Sequence, residues 1–217
     1  FQEQGEVRGS LLAMAYLLEA TSLRTHKIIG PIQALLEQGE ALAQSGSAQP
    51  YPVERALLLS HLGFTSYLRG GVPLKSAWAC RQAYLLTRNL GNVFLQALAL
   101  HHEYVAYILL GEYPRFENLV KQLDKIFEKF FFPEMHSLHL INLGQKYLFQ
   151  GEAFKAVSYL EQARDEIERH GLIYLYPPIL MCELWSKVYM PEGQDTEESA
   201  RAIANLSLTM GNVFVQG

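Results

Sequence analysis

Cysteine is scarce in this chain. Cys80 and Cys182 are its only two in 217 residues, and they are neither close in sequence nor part of a C-x-x-C pair. That excludes a disulfide framework and a zinc knuckle, and both residues read as small buried apolar side chains in a reducing cytoplasm. Charge is scarce too, at 18% of residues with a net of -4 and the two signs interleaved. Without a basic run, direct nucleic-acid contact by this segment is not expected. A long apolar run is missing as well: Val93 to Leu110 is broken by His101, His102 and Glu103, short of the roughly 20 clean apolar residues a membrane span requires. Strand signals are absent, with no Asn-Gly or Asp-Gly turn and no sustained period-two alternation. The chain opens Phe-Gln-Glu-Gln with neither a methionine nor a charged-then-apolar leader, so its start is expected to be a cut within a longer polypeptide.

What the chain has is apolar residues, 49% of the total, enough for a sizeable core, and an internal repeat. Gly91-Asn92-Val93-Phe94-Leu95-Gln96 returns as Gly211-Asn212-Val213-Phe214-Val215-Gln216, 120 residues later, or three periods of forty, and Gly171 falls on the same grid. Half a repeat away, Tyr107 and Tyr147, Gly111 and Gly151, and Glu112 and Glu152 are each forty apart, with Gly70 forty-one before Gly111. Glycine adopts the left-handed conformation that ends helices, so two offset glycine grids mark the two turns of a helix-turn-helix unit. Because Gly211 to Gln216 copy the opening of a further pair, the chain is expected to stop short of its parent's end.

Between the glycines the apolar residues keep helical spacing, as in Phe154, Ala156, Val157, Leu160, Ala163 and Ile167. Pro31, Pro52, Pro73, Pro114, Pro133 and Pro177-Pro178 stand where helices begin, the position proline tolerates. The pattern predicts ten helices in five pairs. The first helices span about 5 to 22, 53 to 69, 93 to 110, 134 to 150 and 176 to 190; their partners span about 30 to 45, 73 to 90, 112 to 130, 152 to 170 and 195 to 210. The expected fold is all-α, a single solenoid over residues 1 to 217.

One unit is especially clear: Leu143-Gly144-x-x-Tyr147-x-x-x-Gly151-x-x-Phe154-x-Ala156-x-x-x-Leu160-x-x-Ala163. It resembles the tetratricopeptide consensus, in which Gly144 and Ala156 let two helices approach while Tyr147 and Leu160 fill the space between them. Leu62-Gly63 with Gly70, and Tyr107 with Gly111 and Tyr113, match in part. The forty-residue period exceeds the usual thirty-four. In this the chain is similar to the solenoid domains of MalT-like bacterial activators and of regulators with a bacterial transcriptional activation domain. The styling of 89 to 99 and 147 to 152 suggests the same group. The resemblance implies a right-handed α-α superhelix that acts as a non-catalytic protein-interaction or effector-sensing arm of a cytoplasmic transcription regulator. The alternative is a stand-alone scaffold or co-chaperone-type adaptor unrelated to transcription.

In such stacks the first helix of each pair lines the inner wall. Sliding the register from Gly144 gives Phe64, Tyr67, His101, Val105, Ile108, Ile141, Gln145, Leu148, Met181 and Trp185 as candidate groove residues. This mostly apolar lining suits a protein, a peptide or a small organic effector; the same residues also suit packing between neighbouring pairs. Other constellations carry less. His136 and His139 share a face near Glu134, but a metal site needs more ligands, and neither a metal nor a cofactor is expected. His101 and His102 diverge by about 100 degrees on a helix, so at least one should reach solvent or the groove. No nucleophile elbow surrounds Ser60, Ser66 or Cys80, and no phosphate loop occurs. Lys121, Lys125 and Lys129 sit beside Glu117, Asp124 and Glu128 and read as a solvated face. Phe130-Phe131-Phe132-Pro133 is expected to plug the joint between the third and fourth pairs, the other reading being an exposed partner patch.

Overall fold

Proline and glycine divide the chain into helices. The computed structural model describes residues 6–23, 32–69 and 71–189, with Arg201 and Asn205. The elements are α1 (Glu6–Leu23), α2 (Ile32–Gln44), α3 (Pro52–Leu68), α4 (Pro73–Arg88), α5 (Val93–Leu110), α6 (Tyr113–Phe127), α7 (Pro133–Phe149), α8 (Ala153–His170) and α9 (Tyr176–Tyr189), with single 3-10 turns at Gly46–Ala48 and Ile173–Leu175. No strand occurs among the described residues, and the protein is all-α across them. Pro52, Pro73 and Pro133 open their helices and Pro114 is second in its own, where the missing N–H costs no intrahelical bond. Pro31 lies outside the described residues, as does the tenth helix expected over 195 to 210, apart from Arg201 and Asn205, which are helical.

The turns follow from the glycines. At Gly111 (φ 67°) the glycine N–H donates to the Ile108 carbonyl and the Glu112 N–H to the Tyr107 carbonyl, each at 3.1 Å. At Gly151 (φ 75°) the same two bonds run to Leu148 and Tyr147 at 2.9 Å. This paired closure satisfies carbonyls that a helix end otherwise leaves open, and it requires a left-handed residue. Gly71, Gly91 and Gly171 are also left-handed, and Gly71 is forty before Gly111; Gly70, which the spacing pointed to, lies outside the described residues. The Val72 N–H there reaches back to the Ser66 carbonyl at 3.1 Å, one residue further than its counterparts at Gly111 and Gly151.

The left-handed glycines recur every twenty residues except at 131, where Phe131 stands. At that position the chain divides into two compact units, Phe1–Phe130 and Phe131–Gly217. In the first, α3 packs closely on α4 and α4 on α5, while α1 covers α3 and α6 covers α5. Gly63 permits the α3–α4 approach: a Cβ on it would lie 2.2 Å from Cys80 Sγ and 3.0 Å from the Ser76 carbonyl oxygen. In the α5–α6 pair Tyr104 and Phe116, both buried, meet edge to face at 5.1 Å. In the second unit α7 and α8 close around Gly144, and α9 packs on both, enclosing Leu140, Leu148, Leu160, Ile167, Ile179 and Cys182. Alternate helices also touch, α1 with α3, α3 with α5, and α7 with α9.

Helix α5 is long and apolar enough to cross a membrane by length and composition. Its apolar surface is instead spent on packing, since 61% of that window is buried against α3, α4 and α6. Phe130 and Phe131 are 44% and 53% exposed, so these two rings are not the buried plug expected of them. Phe131 lies over His136 and His170, with ring centroids 5.8 Å and 5.3 Å away. Pro133 accounts for the break itself: it biases the preceding residue toward extended geometry, and Phe132 sits at φ -121°, ψ 93°.

Candidate functional site

The expected groove residues fall into two sets. In the first unit Phe64 and Tyr67 on α3 are half-buried and lie 6.5 Å apart by ring centroid, while His101, Val105 and Ile108 on α5 are buried. The ring that meets Phe64 is that of His102, stacked on it at 4.5 Å. His101 packs edge-on against Tyr104 at 5.1 Å. Both histidines of the pair are buried, so of the two expected placements, solvent or the groove, the solvent one does not hold. Four consecutive residues, His101 to Tyr104, are buried; they sweep about 300 degrees around the helix, so α5 is enclosed nearly all round.

In the second unit Ile141 and Leu148 are buried and Gln145, Met181 and Trp185 are half-buried. Leu148 on α7 and Trp185 on α9 come together with Phe149 and Val188 around an open cavity of about 180 Å³, and the Phe149 and Trp185 rings lie 6.0 Å apart. Phe149 and Val188 were missed. Val188 is one helical turn beyond Trp185, and Phe149 follows Leu148 at the helix end, so their signal was adjacency to residues already assigned. Gln145, Ile141 and Met181 do not line this cavity.

A second cluster, unforeseen from the sequence, lies where α3, α4 and α5 meet. His102 Nδ1 stands 3.2 Å from the Ser60 carbonyl oxygen, Cys80 Sγ donates weakly to the same oxygen at 3.9 Å, and the His61 and His102 rings are 6.1 Å apart. Ser60 Oγ, His61 Nδ1 and Glu103 Oε2 are buried with no hydrogen-bond partner among the described residues. Burial lowers His61 to about 4. Burial, with His101 and His61 nearby, holds His102 well below the ordinary histidine value. Burial raises Glu103 to about 7 against the opposing charge of Arg81. Cys80 is pushed up by burial and by Glu103, and burial pushes Cys182 up to about 12, so both remain thiols. The Lys121, Lys125 and Lys129 row is exposed together with Glu117, Asp124 and Glu128. Among the described residues no group of three or more His, Cys, Asp or Glu side chains is placed to hold a metal ion.

No protein-family model matches the chain, and neither a curated protein nor a solved structure matches it.

Proposed function

We propose that this chain is a non-catalytic binding module: five tetratricopeptide-like helix pairs forming a right-handed superhelix, whose first helices present the surface that takes a peptide, a partner protein or a small organic effector. In this reading it is the sensor or interaction arm of a bacterial transcription regulator working in the cytoplasm. The single observation that carries it is the cavity between α7 and α9. Leu148 and Trp185 were assigned to one wall by repeat register alone, and they meet around an open apolar space with Phe149 and Val188. Apolar walls supply affinity and a few polar groups set orientation. Half-buried Gln145 lies on α7 with Leu148, and half-buried Phe64 and Tyr67 are the corresponding candidates on α3 of the first unit.

The test is selection from a random peptide library displayed on phage, with the intact chain as bait. Enriched peptides should be rich in leucine and aromatic residues. Trp185→Ala, and the pair Tyr67→Ala with Gln145→Ala, should each weaken a labelled selected peptide by roughly tenfold or more. Trp185 also packs against the core of the second unit, so its variant should melt lower and is compared with Trp185→Phe, which keeps most of that packing. Selected peptides that bind both variants as tightly as the unaltered chain would place the binding surface elsewhere.

A further inference from the structure

The outer face of α4 differs from those of the other second helices. Its exposed residues are Leu74, Trp78, Arg81, Leu85 and Arg88, at spacings of four, three, four and three, so they form one stripe about 21 Å long at 1.5 Å per residue. Leu74 is 66% exposed, Trp78 46% and Leu85 39%. The opposite face of the helix is used in packing, with Ser76, Ala77, Ala79, Cys80, Ala83 and Thr87 buried. By contrast, the exposed faces of α6 and α8 are mostly charged or polar, with Glu117, Lys121, Asp124, Glu161 and Asp165 among them.

Charge follows the same stripe. No aspartate or glutamate occurs between residues 73 and 88. Lys75 is paired with Glu40, and Arg81 lies over the Tyr84 ring at 5.4 Å. Among the described residues neither Arg81 nor Arg88 is in a close ion pair; Arg81 also interacts electrostatically with Glu103 on α5, whereas Arg88 has no such neighbour among them. The row is apolar at 74, 78 and 85, spacings of four and seven that repeat on one helix face, with Arg81 and Arg88 completing it; a face of this kind is what the side chains of a second helix interdigitate with. Tryptophan and arginine are the side chains that most often dominate an interface, and exposed guanidinium groups within the row favour carboxylates on the other side.

We propose that this face of α4 docks an amphipathic α-helix of another protein, with a leucine-rich stripe laid against Leu74, Trp78 and Leu85 and flanking carboxylates on Arg81 and Arg88. The surface is separate from the first-helix wall, so its failure leaves that reading standing.

The probe is a synthetic helical peptide of about three heptads with leucine at the a and d positions and glutamate at e and g, titrated into the full chain by fluorescence anisotropy. A second peptide carries lysine in place of glutamate. The acidic peptide is expected to saturate and the basic one to bind at least tenfold more weakly. Trp78→Ala should weaken the acidic peptide about thirtyfold, and Arg81→Glu with Arg88→Glu should reverse the preference between the two peptides. Trp78 and Arg88 are exposed, so Trp78→Ala and Arg88→Glu alone should leave melting unchanged. Arg81 also balances the charge of Glu103, so Arg88→Glu alone, which should narrow the preference without loss of fold, is the control for the double variant. The proposal is overturned by absence of saturable binding, by equal affinity for both peptides, or by affinity that the variants leave unchanged. It is equally overturned if the chain binds phosphatidylglycerol vesicles but not the peptide, or if light scattering shows a dimer that Trp78→Ala dissociates.

Discussion

Gly63→Ala is expected to destabilise the first unit by about 3 kcal/mol, although alanine is the better helix former by about 1 kcal/mol. The new methyl carbon would lie 2.2 Å from Cys80 Sγ and 3.0 Å from the Ser76 carbonyl oxygen, where about 3.5 to 4.0 Å is comfortable for carbon. Cys80 is fully buried and the oxygen belongs to the backbone of α4, so relief requires the helices to part. Gly144→Ala meets a softer obstacle, Leu160 Cγ and Cδ2 at 2.9 Å with the Ala156 carbonyl oxygen at 3.3 Å. A leucine side chain can shift, so the net cost there should stay under about 1.5 kcal/mol once the propensity gain is included. Thermal or urea denaturation of both variants checks the order. Adding Cys80→Ala to Gly63→Ala should recover most of the loss, because it removes the nearest atom. A Gly63→Ala protein as stable as the parent would show that α3 and α4 are not in close contact.

Stability should also depend on pH through Glu103, by up to about 3 kcal/mol. Its carboxyl is raised from 4.5 to about 7 in the fold, so between those values the folded chain binds the proton more tightly than the unfolded chain. The contribution is fully present below about pH 4.5 and is lost as pH rises through about 7. The groups around it are Cys80 and Arg81 from α4 and Tyr107 from α5, with the His61–His102 ring pair from α3 and α5 in the adjoining cluster. His61 works in the opposite sense. Lowered from 6.5 to about 4, it contributes stability that is present above 6.5 and lost as pH falls through about 4. A variant separates the two. Residue 103 lies forty-one after Leu62 and forty before Leu143, so Glu103→Leu restores the residue type of the matching units. That variant should gain about 2 to 3 kcal/mol more over the parent near pH 8 than near pH 4, where only the relief of the partnerless Glu103 Oε2 remains. A difference between the two proteins that stays constant with pH would contradict the assigned burial of Glu103.

These two residues mark how far the sequence could be read. Gly63 was legible as a partial match to Leu143-Gly144, and its close contact followed. Helix α5 was legible to both ends because a left-handed glycine stands just beyond each. Helix α6 was not: it ends at Phe127, three residues before the expected boundary, because Phe130 to Phe132 look apolar enough to continue a helix and no glycine stands at 131 to end it. The burial of His102 and Glu103 was illegible for a different reason. Periodicity tells which residues share a face but not how many neighbours enclose the helix, and α5 touches α3, α4 and α6. The same limit applies to the wall. Register grouped Leu148 with Trp185, whereas the burial of His101, Val105, Ile108 and Ile141 depends on how closely adjacent helices pack.

The claim that the first helices form the binding surface is tested most directly by hydrogen exchange, read by mass spectrometry on the full chain with and without a peptide selected on it. Protection on binding should concentrate in α3, α7 and α9, strongest around Leu148 and Trp185, and leave α2, α6 and α8 unchanged. Protection confined to α2, α6 or α8, with none around Leu148 and Trp185, would contradict it.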